Sequence, residues 1–141
     1  MRRLLRRMFG RTLTADDAEL RTRQRRALSH IPHLVFAVGD VHGCHTQLLE
    51  MEKRISQEAA ERGKPALIVY LGDLVDRGPN SAAVIDHFCN RQKGNLFRVA
   101  LCGNHDDSFL KFVEDPAANM QWLGFGGNTT LSSYGIDAGH I

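Results

Sequence analysis

Ala66-Leu67-Ile68-Val69-Tyr70-Leu71-Gly72-Asp73-Leu74-Val75-Asp76-Arg77-Gly78 is the stretch whose reading decides the fold. Its first six residues are an apolar run of strand length, and the run ends in Gly-Asp. A buried strand of this kind places a carboxylate at its carboxyl end, where open α/β sheets bind their ligands. Within the seven residues that follow, Asp73 could hold a metal, Asp76 could orient a neighbour and Arg77 could grip an oxyanion bidentately. The same residues also fit a plain acidic turn in which Asp76 and Arg77 pair. The rest of the chain decides between these readings by supplying partners or not.

Working outward, the pattern recurs on both sides. Leu34-Val35-Phe36-Ala37-Val38 is an apolar run expected of a strand covered on both faces, and it enters Gly39-Asp40-Val41-His42-Gly43. Residues 47–62 follow with helical spacing, Leu48, Met51, Ile55 and Ala59 forming one stripe. Downstream, Asn80 or Ser81 is a candidate cap for a helix carrying Ala82, Ile85, Phe88 and Cys89. Residues 96–101 read as a third strand ending in Gly103-Asn104-His105-Asp106. A further helix then carries Phe109, Leu110 and Val113 up to Pro116. Residues 121–141, rich in glycine, read as loops with one short helix near 129–134. Strand, polar motif and helix thus repeat three times, which is an α/β pattern. Parallel strands joined by right-handed crossovers bring Asp40, His42, Asp73, Asn104 and His105 to one sheet edge.

Oxygen and imidazole donors in such a set suit manganese, iron or zinc rather than copper or an iron–sulfur cluster. Asp73, on the middle motif, is the natural bridge between two ions. A pair of ions about 3.5–4 Å apart activates water and stabilises both ends of a displacement at phosphorus. Arg77 would then bind phosphoryl oxygens, His105 would protonate the leaving oxygen, and Asp76 would hold the imidazole in its useful tautomer.

GDVHG at 39–43, GDLVDRG at 72–78 and GNHD at 103–106 resemble the three signature motifs of the phosphoprotein phosphatase family of metallophosphoesterases. The resemblance covers roughly residues 34–135. It implies a calcineurin-like α/β/β/α sandwich built from βαβ units, with two divalent metal ions, manganese first and iron or zinc as the other fitting ions. It further implies that Asp40, His42 and Asp73 bind one ion and that Asp73 and Asn104 bind the other. His105 would be the general acid, Asp76 its partner and Arg77 the phosphate binder. Trp122 with Gly126-Gly127-Asn128-Thr129-Thr130-Leu131-Ser132-Ser133-Tyr134-Gly135 is similar to bacterial serine/threonine protein phosphatases, as is the aspartate at 76. Asp106 instead matches the symmetrical diadenosine tetraphosphatases. The expected function is therefore a phosphoric monoester hydrolase, a serine/threonine protein phosphatase using a dimetal-activated hydroxide. The alternatives are a symmetrical diadenosine tetraphosphate hydrolase and a truncated, non-catalytic fragment that binds metal or a partner. The family's later histidine motifs are absent, and His140 comes too soon to match them. Residues 32–141 are thus expected to be the amino-terminal part of the domain, with apolar sheet surface exposed and self-association a way to cover it.

Composition sets the outer bounds. Residues 1–26 carry nine arginines against three acids, a net +6, and residues 27–141 a net −4. Residues 1–31 form a basic leader, read as a partly disordered or helical tail, and the mildly acidic remainder argues against a nucleic-acid partner. No run reaches the roughly 20 apolar residues of a membrane span, so no stable membrane insertion is expected. Cys44, Cys89 and Cys102 lack CxxC spacing, which suggests neither a disulfide framework nor a zinc knuckle and points to a reducing, cytoplasmic setting. His30, His33, His45 and His87 lie outside the motifs and read as exposed or structural. Trp122 and Phe125 read as packing residues, and Cys44 as a small packed one.

Overall fold

The structure is a computed structural model that describes residues 34–90 and 96–140. The basic leader, with His30, and His33 beyond it lie outside the described residues. Three strands, β1 (Leu34–Val38), β2 (Ala66–Tyr70) and β3 (Leu96–Ala100), pair in the order β1-β2-β3, all parallel. Helix α1 (His45–Glu61) joins β1 to β2, and α2 (Ser81–Cys89) lies between β2 and β3. After β3 come α3 (Asn104–Glu114), a 3-10 segment (Ala117–Phe125), α4 (Gly127–Ser133) and a last 3-10 turn (Ala138–His140). The glycine-rich end is therefore largely helical, not the loops its composition suggested. The 3-10 segment is kinked at Asn119, whose side-chain amide donates to the carbonyls of Lys111 (3.1 Å) and Asp115 (2.8 Å). The Asp115 carbonyl beyond the end of α3 thereby gains a donor, and the Lys111 carbonyl, which already accepts the Asp115 N–H at 3.0 Å, gains a second.

The register is unstaggered: Leu34 faces Ala66, which faces Leu96, and Val38, Tyr70 and Ala100 align at the other end. All three motif loops therefore leave the sheet from one edge. Advancing strand order with right-handed crossovers puts both connecting helices on the same face. The core accordingly joins Leu48, Ile55 and Ala59 of α1 and Val84 of α2 to Ala66, Ile68 and Tyr70 of β2. This corrects the expectation that β1 is covered on both faces. Val35 and Phe97, on the opposite face, are 53% and 54% exposed, and Leu71 and Leu101 beyond the strands are similarly open.

Met51 also departs from its predicted buried stripe. It is exposed and lines, with Val35 and Arg54, a groove of about 640 Å³ beside β1. Its neighbour Glu52 is buried instead. Glu52 accepts from the Tyr70 hydroxyl (2.6 Å), from Arg98 Nη2 (2.8 Å) and from His87 Nε2 (3.0 Å), and Arg98 Nε lies 2.7 Å from its other oxygen. Burial, reinforced by the Glu52 carboxylate, pushes the Tyr70 hydroxyl far above the usual phenol range. This node ties α1, α2, β2 and β3 together, so His87 is structural.

Neither Asn80 nor Ser81 caps α2 with its side chain. The Ser133 hydroxyl, from α4, accepts the Ala82 N–H at 3.0 Å, so the cap comes from a distant segment. Leu110 likewise lies on the open side of α3, while Phe109, Phe112 and Val113 are buried.

Removing one partner of a buried ion pair costs about 3–5 kcal/mol because the other charge stays buried. Glu52→Ala is expected to lose stability in that range by urea denaturation, with Met51→Ala nearly neutral. Equal effects of the two would refute the node as a structural anchor.

Candidate active site

The three loops at the strand ends are knitted by their backbones. The N–H groups of Val41 and His42 donate to the Asp73 carbonyl (3.1 and 2.9 Å), and Gly43 N–H donates to Leu74 (2.9 Å). Such contact between main chains excludes side chains at the crossings. A Cβ on Gly78 would sit 2.0 Å from the His42 carbonyl, and one on Gly103 would sit 2.2 Å from Asp73 Oδ1. Four non-glycine residues, His42, Asp73, Asp76 and Arg77, adopt left-handed φ values between 42° and 73°. Such conformations are sparsely populated, and their clustering in two loops marks a site where the fold overrides local preference.

His42, Asp73 and His105 each offer a ligating atom within 4.8 Å of the others. His42 Nδ1 donates to the Val75 carbonyl at 2.8 Å, which leaves the lone pair of a neutral ring on Nε2. Nε2 is buried, has no hydrogen-bond partner and lies 3.5 Å from Asp40 Oδ2. A buried imidazole nitrogen without a partner, fixed in tautomer by its other nitrogen and facing carboxylates, is the arrangement of a metal ligand. The donor set therefore fits a divalent ion. Asp73 Oδ1 also accepts the His105 N–H at 2.9 Å, which binds the middle motif to the third.

His105 is buried, and its Nδ1 donates to Asp76 Oδ2 at 2.7 Å. Its Nε2 accepts from Arg77 Nη2 at 3.1 Å, since a guanidinium can only donate. Asp76 therefore pairs with His105 and not with Arg77, which removes the plain-turn reading. The two histidine rings meet edge-on, 4.7 Å between centroids. Arg77 and Asn104 are exposed and line, with His105, Ser108, Gly124 and Phe125, an open cavity of about 530 Å³. All seven residues singled out in the sequence thus lie in or beside one cluster. Asp40, two-thirds exposed, sits at its rim.

Three residues quoted in the motifs are given no role at the site by the sequence reading. Trp122 Nε1 and the Thr130 hydroxyl both donate to Asp76, each at 2.8 Å. Trp122 is thus more than the packing residue it was read as, although it also packs on Phe109 and Phe112. Asp106 holds the Leu74 and Gly103 N–H groups on its two oxygens, both at 2.9 Å. Its carboxylate therefore has a local duty at the junction of two motifs. A buried tryptophan followed by a Gly-Gly-Asn-Thr-Thr run was the available signal for the first two.

A family model described as calcineurin-like phosphoesterase matches residues 33–140, and the chain belongs to that family. Over 97 residues it is 35% identical to serine/threonine-protein phosphatase 1 of Salmonella typhimurium, covering 67% of this chain and 39% of the relative. Over 75 residues it is 39% identical to a symmetrical bis(5'-nucleosyl)-tetraphosphatase of Janthinobacterium, covering 53% of this chain and 25% of the relative. A third relative, the asymmetrical tetraphosphatase PrpE of Halalkalibacterium halodurans, is 38% identical over 81 residues, 54% of this chain and 32% of its own length. The chain thus spans between a quarter and two-fifths of the length of these relatives. No solved structure matches it.

Leaving a buried N–H without an acceptor costs about 1–3 kcal/mol. Asp106→Ala is expected to cost stability of that order in thermal unfolding and to weaken Mn²⁺ binding in calorimetry roughly tenfold. Unchanged metal affinity would show that the brace does not shape the ligand cluster.

Proposed function

We propose that residues 32–141 are the amino-terminal part of a metal-dependent phosphoesterase domain that hydrolyses phosphoric monoesters, with phosphoserine and phosphothreonine as the first substrate class. The observation that carries this reading is the fixed tautomers of the two histidines. His42 presents a free Nε2 to the carboxylates, while His105 keeps Nδ1 on Asp76 and turns Nε2 toward Arg77 and the cavity.

Asp40, His42, Asp73 and Asn104 are the residues that would hold two divalent ions, manganese first among them. Bound there, the ions would supply Lewis acidity toward phosphoryl oxygens and a nucleophile drawn from water. Arg77, exposed at the cavity, would bind the remaining phosphoryl oxygens through its planar fork. With phosphate in place the Arg77 guanidinium would have an anion to engage, and the His105 Nε2 it leaves would take up a proton from solvent and pass that proton to the leaving oxygen. Asp76 would hold the imidazole in register during that transfer.

The preference for a protein substrate rests on the Salmonella phosphatase, the relative among those above that shares most of this chain. The tetraphosphatase relatives support a second reading, a dinucleoside tetraphosphate hydrolase with another leaving group at the same centre. The open apolar face around Val35 and Phe97 supports self-association, which sedimentation at rising concentration reads directly. A monomer throughout would discard that idea. Among the described residues no helix is long and apolar enough to cross a membrane, and all three cysteines are free. These features support a cytoplasmic setting, and recovery in the membrane fraction of lysed cells would overturn it.

General acids contribute roughly 10²–10⁴-fold. With Mn²⁺ supplied, His105→Ala is expected to lower kcat on para-nitrophenyl phosphate by that factor, and chelation to abolish turnover. Parallel assays on a phosphopeptide and on diadenosine tetraphosphate separate the two enzymes, faster turnover of the nucleotide favouring the second reading. A folded, metal-loaded chain without turnover on any of the three would be a non-catalytic binding fragment.

A further inference from the structure

The phosphoesterase reading, on which the following inference rests, gives Asp76 one task, orienting His105. Asp76 is fully buried and holds a left-handed φ of 73°, so both its charge and a sparsely populated backbone conformation need support. Thr130 answers both problems with one hydroxyl. Its oxygen accepts the Asp76 N–H at 2.9 Å and its proton goes to Asp76 Oδ1 at 2.8 Å, closing a ring across backbone and side chain. Ser81 Oγ accepts the same N–H at 3.1 Å and lies 3.1 Å from Thr130 Oγ1. On the other oxygen, Trp122 Nε1 and His105 Nδ1 converge at 2.8 and 2.7 Å. A carboxylate accepts only, so three donors in three directions leave it one orientation.

Trp122 is itself held by the helix that carries His105. Its ring lies 5.3 Å from Phe109 and 4.6 Å from Phe112, both of α3. On the far side a Cβ at Gly127 would come within 2.4 Å of the indole, so only glycine leaves the ring its place. Gly126 packs in the same way against Arg77, and its carbonyl accepts the Arg77 N–H at 3.3 Å. The run 126–130 therefore touches Arg77, Trp122 and Asp76 in succession.

We infer that Trp122 and Thr130 are positioning residues for this centre: by fixing the Asp76 carboxylate they aim His105 Nε2 into the cavity. Loss of the Thr130 hydroxyl frees Oδ1, lets the carboxylate turn and loosens the imidazole without touching the groups that bind phosphate. The cost falls on the chemical step and not on substrate binding.

Thr130→Val keeps the side chain's shape and removes the hydroxyl, and Thr130→Ser restores it. With Mn²⁺ and para-nitrophenyl phosphate, Thr130→Val is expected to lower kcat roughly 10- to 100-fold with KM within about twofold, and Thr130→Ser to recover most of the loss. A proton NMR readout is independent of turnover. The His105 imidazole N–H, identified by its absence in His105→Ala, should be protected from exchange in the wild-type chain. It should be lost to exchange in Thr130→Val and return in Thr130→Ser. Should Thr130→Val not fold, Trp122→Phe, which keeps an aromatic ring between Phe109 and Phe112, is expected to show the same loss of N–H protection. Wild-type kcat and N–H protection in the folded variant overturn the inference, as does an equal effect of valine and serine. A protected N–H that follows the hydroxyl in an enzyme without turnover would uphold the positioning and reject the phosphoesterase reading.

Discussion

A carboxylate with no exposed surface, that of Asp76, is the constraint on which the architecture beyond the sheet depends. A charged acceptor moved out of water costs several kcal/mol unless its lone pairs find donors. The chain meets this by bringing three donors from three separate segments: His105 from α3, Trp122 from the 3-10 segment and Thr130 from α4. Each donor fixes the segment that carries it. The contacts of Trp122 with Phe109 and Phe112 and the bond from Ser133 to the start of α2 then follow as packing around that centre. Stability and site geometry here rest on the same bonds.

A second constraint is the close approach of the motif loops. Unstaggered parallel strands end at one edge, and their loops must cross main chain against main chain. Glycine is required at those crossings, and the residues between them are driven into left-handed backbone conformations. The strain falls on His42, Asp73, Asp76 and Arg77, which are candidate site residues, and the backbone bonds among the loops hold it. Relatives with protein-phosphatase and with tetraphosphatase names both match this chain, so the similarity by itself does not select between leaving groups.

The sheet illustrates how topology overrules composition. Val35 and Phe97 are as apolar as their buried neighbours, yet more than half of each is exposed. Strand order alone puts α1 and α2 on one face, and nothing in the hydrophobic pattern of a five-residue strand reveals that. Glu52 is the converse case: a charged residue beside a predicted apolar stripe, buried because Arg98, His87 and Tyr70 approach it from three other elements.

By itself the sequence determined the α/β alternation, the three motif loops and a candidate set, Asp40, His42, Asp73, Asn104 and His105, of which His42, Asp73 and His105 bring ligating atoms within 4.8 Å of one another. These are local signals: apolar runs of strand length, glycines at strand ends, and polar residues too costly to place there without use. Only the tertiary structure decided which nitrogen of each histidine carries the proton, because the acceptors that set it, Val75 for His42 and Asp76 for His105, lie 33 and 29 residues away. It also decided that Trp122 and Thr130 donate to Asp76, 46 and 54 residues distant, and that Val35 and Phe97 stay exposed on either side of the buried Leu67. Hydrogen-bond direction and helix placement are properties of contacts between distant segments, and a linear pattern holds no record of them.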